Sequence, residues 1–148
     1  MNRRHEEFFH GGIPGLQVGD RILPPDVTGA RHTMPTFTTE AELESEPWLR
    51  HSHLVYGTAD IAVAVACAAI YPDGAVYRVQ LDVSRPDPDN RLKHVCGPAG
   101  TVIAVEFPQV PLWTQDALMR EVLRAEKCGD VTPQIRKAMW AMRLTGLA

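Results

Sequence analysis

The chain has 148 residues, of which 45% are hydrophobic and 22% are charged, and its formal net charge is −3. This size and composition suit one globular domain over residues 1–148 and exclude an intrinsically disordered chain. The slight acidity disfavours nucleic acid as a partner, and no apolar run approaches the roughly 20 residues that span a bilayer. Cysteines are few and widely spaced, which favours reduced thiols and a cytoplasmic protein without a membrane partner.

The N-terminal third is predicted to hold one strand, several turns and a long loop. Residues 8–10 form an apolar strand that ends at His10, and the glycines at 11–12 follow it as a sharp turn. Residues 15–25 hold two short apolar stretches joined by a Gly-Asp turn. Residues 26–47 are rich in Pro, Thr, Glu and Gly without a sustained period, which predicts a long surface loop.

The central part of the chain is predicted to contain two strands and one buried helix. Residues 54–56 are a candidate buried strand, and Thr58 can then cap a helix over 59–70. That helix is apolar on every face, so it belongs in the core against a sheet. Alternating residues over 75–83 predict a strand whose odd-numbered side chains are buried. Two prolines in the acidic turn 85–90 prevent the strand from continuing.

The C-terminal part is predicted to change from strand to helix. A further strand covers residues 101–107. Thr114 can then cap a helix over 115–127, and a second helix runs over 132–144 with proline near its start. Residues 108–148 therefore form a C-terminal helical extension of the same domain.

Four short motifs follow one another in a fixed order, namely Phe9-His10-Gly11, Leu16-Gln17-Val18-Gly19-Asp20, Val55-Tyr56-Gly57-Thr58 before an Ala-rich helix, and Val76-Tyr77-Arg78-Val79 before an acidic turn. Their order and spacing resemble the rifamycin ADP-ribosyltransferase family over about residues 8–107. The resemblance implies an α+β fold in which a split, mostly antiparallel sheet with flanking helices encloses an NAD cleft. That cleft would lie between the strands ending at His10 and Tyr56.

The resemblance also implies a reaction, the transfer of ADP-ribose from NAD to a hydroxyl of a small molecule with release of nicotinamide. A rifamycin antibiotic is the leading acceptor, and the loop 26–47 would act as a lid over it. Residues of the chain match the implied roles. His10 would donate a hydrogen bond to a ribose hydroxyl, and the Tyr56 ring would stack on nicotinamide. Asp87, with Asp89 as its competitor, would stabilise the positive charge that develops on ribose.

The implied cofactor-binding set joins His10 and Tyr56 with three smaller residues, Gly11, Gly12 and Thr58. Gly11 would let the backbone approach NAD closely. The chain departs from the family at Gly12, where the family has Thr, and it lacks two family segments beyond the acidic turn. These departures bear on the acceptor more than on the NAD chemistry. A protein acceptor, or water in an NAD glycohydrolase, therefore stays open.

Two hypotheses from other functional classes compete with the transferase. The first is a zinc site, since the chain has two pairs of possible metal ligands at i, i+2 spacing, His51 with His53 and His94 with Cys96. In a strand this spacing places both side chains of a pair on one face, and two such pairs suit tetrahedral zinc. Alternatively, the apolar side chains of 132–144 form a surface for a partner in a non-catalytic interaction module. At helical spacing such residues more often pack in the core.

Overall fold

The computed structural model describes residues 6–28, 53–69, 71, 73–86, 94–111, 133, 136–137 and 140–141. In this part of the chain the elements are, in order, β1 (Glu7–Gly12), β2 (Arg21–Ile22), α1 (Pro25–Thr28), β3 (Val55–Gly57), α2 (Ile61–Ala68), β4 (Ala75–Leu81), β5 (Arg85–Pro86), β6 (Val95–Gly97) and β7 (Gly100–Phe107). Every paired strand is antiparallel to its neighbour. The predicted α+β class with mostly antiparallel sheets is therefore confirmed.

The strands form two sheets that meet at one backbone bridge. One sheet has four strands in the order β1-β4-β7-β2, and the other has three in the order β3-β6-β5. The N–H of Phe9 donates to the Thr58 carbonyl over 2.8 Å, and the N–H of Thr58 donates back to the Phe9 carbonyl over 2.9 Å. This bridge brings β1 and β3, the strands with His10 and Tyr56, next to each other.

The core lies on one face of the four-stranded sheet, with β4 at its centre. The alternation predicted over 75–83 is confirmed as far as Leu81, because the odd-numbered side chains of β4 are buried together with Phe8, Ile22, Val55 and Val102. Val76 is also buried, since α2 packs against the opposite face of β1 and β4. Val83 lies outside the strand and is 84% exposed, so its predicted burial is wrong.

Helix α2 begins at Ile61, two residues later than predicted, because Asp60 and not Thr58 caps it. The Asp60 carboxylate accepts a hydrogen bond from the Ala62 N–H over 3.0 Å, the geometry of an N-cap. Thr58 belongs to the bridge between the sheets, and its hydroxyl accepts from the Asp60 N–H over 3.1 Å. The helix is described as far as Ala68, with Ala69 as its C-cap.

Gly11 and Gly12 lie inside β1, so the prediction of a turn after His10 is wrong. A Cβ at Gly11 would collide with the carbonyl oxygen of Ala64 in α2. Glycine at this position therefore allows the helix to lie directly on the strand. The signal was ambiguous in the sequence, because glycine serves both turns and close packing of backbones.

Several other predicted elements can be compared with the structure. The strand at 101–107 is confirmed as β7, whereas the short strands β5 and β6 were not predicted. Residues 26–28 are helical in α1 and not part of a loop. The rest of the predicted lid and the helix 115–127 lie outside the described residues.

The C-terminal part is described at five positions, all of them helical: 133, 136, 137, 140 and 141. Arg136 forms an ion pair with Asp60, at 2.7 Å between Nη2 and Oδ2, so this part contacts the start of α2. The organisation of 1–148 as one domain stays a prediction. Among the described helices, none combines the length and apolar character needed to cross a bilayer.

Candidate active site

His10 and Tyr56 are brought together across the two sheets by a hydrogen bond. The Nδ1 atom of His10 lies 2.7 Å from the backbone carbonyl oxygen of Tyr56. A carbonyl can only accept, so Nδ1 carries the proton and donates it. The predicted proximity of the two strands is therefore present, but it is the backbone of Tyr56 that contacts the imidazole.

This hydrogen bond fixes the tautomer of His10. With the proton on Nδ1, the neutral ring presents Nε2 as an acceptor. Burial lowers the pKa of His10, and the bond to the Tyr56 carbonyl, which favours the charged form, offsets this in part. The ring is thus neutral at pH 7, so it accepts a hydrogen bond at Nε2. The predicted role of His10 as donor to a ribose hydroxyl is corrected accordingly: the hydroxyl would donate.

Gly12 leaves room for the His10 imidazole, whose Nε2 lies over it. A Cβ at Gly12 would lie 2.8 Å from Nε2 of His10, closer than real Cβ atoms approach other atoms. The Thr that the rifamycin family has at this position would therefore collide with this imidazole. A Cβ at Gly11 would point the other way, toward α2, so glycine is needed there for packing, and the predicted contact of its backbone with the cofactor stays a prediction.

Tyr77 completes the surroundings of His10, and its part was not predicted. The two residues are direct partners in the β1–β4 pair, and their rings stack with centroids 6.5 Å apart at 24°. The Tyr77 hydroxyl contacts the backbone of Ile13 and Leu16 beyond the end of β1. In the sequence Tyr77 is a buried position of an alternating strand and part of the fourth motif, and neither pattern indicates a contact with His10.

The Tyr56 side chain packs against His94, which in turn contacts α2. Its ring packs edge-on against His94, with centroids 5.6 Å apart at 69°. The other side of His94 faces α2, where its Nε2 lies 3.9 Å from the Cys67 Sγ. His94 is buried and lies directly before β6. The sequence analysis names it only as a candidate zinc ligand, and no pattern in the sequence indicates its contact with Tyr56.

Asp87 and Asp89 lie outside the described residues, but the strand before them is described. Arg85 in β5 pairs with Cys96 in β6, and Cys96 pairs with Tyr56 in β3. Two strand spacings, about 10 Å, therefore separate Tyr56 from Arg85 along this row. After β4 the chain crosses to the second sheet, where Arg85 is the first residue of β5. The chain therefore enters the acidic turn from the sheet that holds Tyr56.

The proposed pairs of zinc ligands point in different directions where they are described. His94 contacts Cys67, whereas the Cys96 thiol lies 3.8 Å from the Pro86 carbonyl oxygen. His53 is exposed, and His51 lies outside the described residues. No group of three or more His, Cys, Asp or Glu among the described residues is arranged to hold a metal ion.

The two sheets hold the candidate residues in two groups. His10 and Gly12 lie on the same face of β1. Tyr56 lies in β3, and Thr58, directly after β3, is buried in the bridge to Phe9. Comparison with known proteins gave no matching family model and no curated protein with significant sequence similarity.

Proposed function

We propose that the protein is a mono-ADP-ribosyltransferase that moves ADP-ribose from NAD to a hydroxyl of a small molecule. A rifamycin antibiotic is the first acceptor to test, on the basis of the sequence resemblance. One observation carries the proposal: the 2.7 Å bond from His10 to the Tyr56 carbonyl joins the two strands that the resemblance assigns to NAD. An ADP-ribosyltransferase-like arrangement of the sheets and a cytoplasmic location belong to the same proposal.

His10 would bind and orient ribose. Its Nε2 is a neutral acceptor at pH 7, and it lies over Gly12, where a Cβ would collide with it. A ribose hydroxyl is a suitable partner, since it can donate a hydrogen bond to Nε2. The Nδ1 bond prevents the ring from rotating, so this acceptor is held in place before the substrate binds.

Tyr56 and the acidic turn would act at the reacting bond. NAD supplies the ADP-ribosyl group, and nicotinamide leaves with the electrons of the glycosidic bond. Positive charge then develops on ribose, which a carboxylate of the turn, Asp87 or Asp89, would stabilise. The same carboxylate would orient the acceptor hydroxyl and take its proton. The ring of Tyr56, held from one side by His94, would provide an aromatic surface for nicotinamide.

The decisive experiment is nicotinamide release from NAD by the purified protein, with and without rifampicin. We expect release that rises with rifampicin and is lost in His10→Ala. His53→Ala is the matched control, because it removes an exposed histidine outside the site and should leave release unchanged. Release that is equal with and without rifampicin would indicate water or another acceptor. No release and no thermal stabilisation by NAD would refute the proposal.

Two further sets of variants test the individual roles. Asp87→Asn and Asp89→Asn separate the two carboxylates: the catalytic one should lose release about 100-fold or more, and the other should retain it. Gly12→Ala tests the space beside Nε2. Because its Cβ would displace the imidazole, we expect NAD binding to weaken about tenfold or more. Normal NAD binding by Gly12→Ala would exclude Nε2 of His10 as a ligand.

A further inference from the structure

The hydroxyl group of Tyr77 links the two ends of the segment that follows β1. The Tyr77 hydroxyl donates to the Ile13 carbonyl over 2.6 Å and accepts from the Leu16 N–H over 3.2 Å. Gly15, with φ of 88°, lets the chain turn back between these two contacts. Residues 13–16, here named the Tyr77 loop, are therefore tied to the sheet through a single phenol.

The Tyr77 loop begins next to the second ring nitrogen of His10, Nε2. Nε2 faces Gly12, the last residue of β1, and the loop leaves the strand directly after it. At its other end, Leu16 is partly buried against the core. The loop therefore begins directly after the residue against which Nε2 lies, and its other end packs against the core.

Tyr77 also contacts His10 itself. The two side chains stack as direct partners across β1 and β4, and Tyr77 is completely buried. Burial raises the pKa of Tyr77; the bond from the Leu16 N–H opposes this, and the nearby carboxylate of Asp20 adds to it. Tyr77 therefore stays protonated and keeps donating to Ile13 throughout the pH range in which His10 titrates.

We propose that Tyr77 positions the His10 site for a ribose hydroxyl: its ring stacks on the imidazole, and its hydroxyl fixes the Tyr77 loop, which leaves β1 directly after Gly12, the residue that lies against Nε2. The identity of that ligand rests on the proposed function. The effect of Tyr77 on the loop and on His10 belongs to the unliganded protein and can be measured without NAD. Tyr77 acts through the loop and has no contact with the reacting atoms.

The test is Tyr77→Phe, which keeps the buried ring and removes only the hydroxyl. Hydrogen exchange at the Leu16 amide should become about tenfold faster or more, because the bond that protects it is lost. The pKa of His10, followed by NMR, should rise toward 6.5 as water reaches Nε2. In the active protein, kcat/KM for nicotinamide release should fall about tenfold. Tyr71→Phe, which removes a phenol from a residue beyond α2, should change none of the three.

The outcomes separate this inference from the proposed function. If the wild-type protein releases no nicotinamide, the proposed function fails, and the exchange and titration measurements still decide the role of Tyr77. Unchanged Leu16 exchange or an unchanged His10 pKa in Tyr77→Phe overturns the inference. If Tyr77→Phe does not fold, hydrogen exchange of the wild-type protein tests the inference. A Leu16 amide that is protected from exchange supports the loop closure, and one that exchanges as fast as in an unfolded chain overturns it.

Discussion

The two halves of the candidate site are built in different ways. On the His10 side, formed by His10, Gly12 and Tyr77, the imidazole is held by a backbone carbonyl and by its direct partner across a strand pair. On the Tyr56 side, formed by Tyr56, His94 and Cys67, an aromatic ring packs against an imidazole that faces a thiol. One side is thus fixed by the backbone of the sheets, and the other by contacts between side chains.

This difference predicts how each side responds to substitution. The Tyr56 carbonyl survives almost any substitution, so the orientation of His10 should be lost only when the strands move or when a new atom takes the place of the imidazole, as in Gly12→Ala. The ring of Tyr56 depends on neighbours that a single substitution can remove, and an edge-on aromatic contact contributes about 0.5–1.5 kcal/mol beyond its buried area. Substitutions outside the His10 side should therefore disturb it only together with the fold, whereas the Tyr56 side should fail alone.

The largest effect is expected for Gly11→Ala, which attacks the packing of the His10 side. Its Cβ would meet the Ala64 carbonyl, part of the helix backbone, so either β1 or α2 must move. We expect the free energy of unfolding to fall by about 3 kcal/mol or more in urea denaturation. Gly19→Ala is the control, because Gly19 has a φ of 91° and open space around it. It should lose about 1 kcal/mol, from backbone strain alone. Equal losses in the two variants would show that α2 does not press on β1.

A smaller effect is expected for His94→Ala, which acts on the Tyr56 side. Removing this buried imidazole leaves the Tyr56 ring without its edge-on partner and should lower the free energy of unfolding by about 1–3 kcal/mol. The Tyr56 ring resonances should shift in NMR spectra, whereas the titration of His10 should not change. His53→Ala, at an exposed position, serves as the control. A shifted His10 pKa in His94→Ala would mean that the two sides are coupled.

Dependence of stability on pH tests the His10 side separately. Burial lowers the pKa of His10 below the 6.5 of an unperturbed histidine, so the folded chain binds fewer protons than the unfolded chain. The contribution of neutral His10 is complete above about pH 6.5 and is lost as pH falls through the lower, folded-state pKa. We expect His10→Asn, which keeps a donor for the Tyr56 carbonyl but does not titrate, to lose less stability between pH 7.5 and 5. Identical pH profiles from urea midpoints would contradict the assigned tautomer and burial.

The smallest effect is expected on the connection between the two sheets. Val83 lies between β4 and β5 with φ of 49°, a conformation that is unfavourable for a β-branched residue, and its side chain is 84% exposed. Val83→Gly should relieve this strain without loss of packing and raise the free energy of unfolding by about 0.5–1 kcal/mol. Val18→Gly, at a position that is also exposed but not left-handed, should be neutral or destabilising. Destabilisation by Val83→Gly would show that this turn contributes to stability as it stands.

Much of the local structure followed from the sequence alone. Alternation identified β4 as far as Leu81, and apolar runs identified β3, β7 and the buried helix α2. Short-range patterns determine these features, because side-chain burial repeats with the period of each element.

The tertiary structure decided what these residues do. The tautomer of His10, the reason for glycine at positions 11 and 12, and the loop closure by Tyr77 all depend on contacts between residues far apart in the chain. Short strands such as β5 and β6 have too few residues to show a period, and the cap at Asp60 competed with an equally suitable Thr58. Sequence spacing predicts which face a side chain occupies, whereas only the packing of two sheets and a helix determines which atom it meets there.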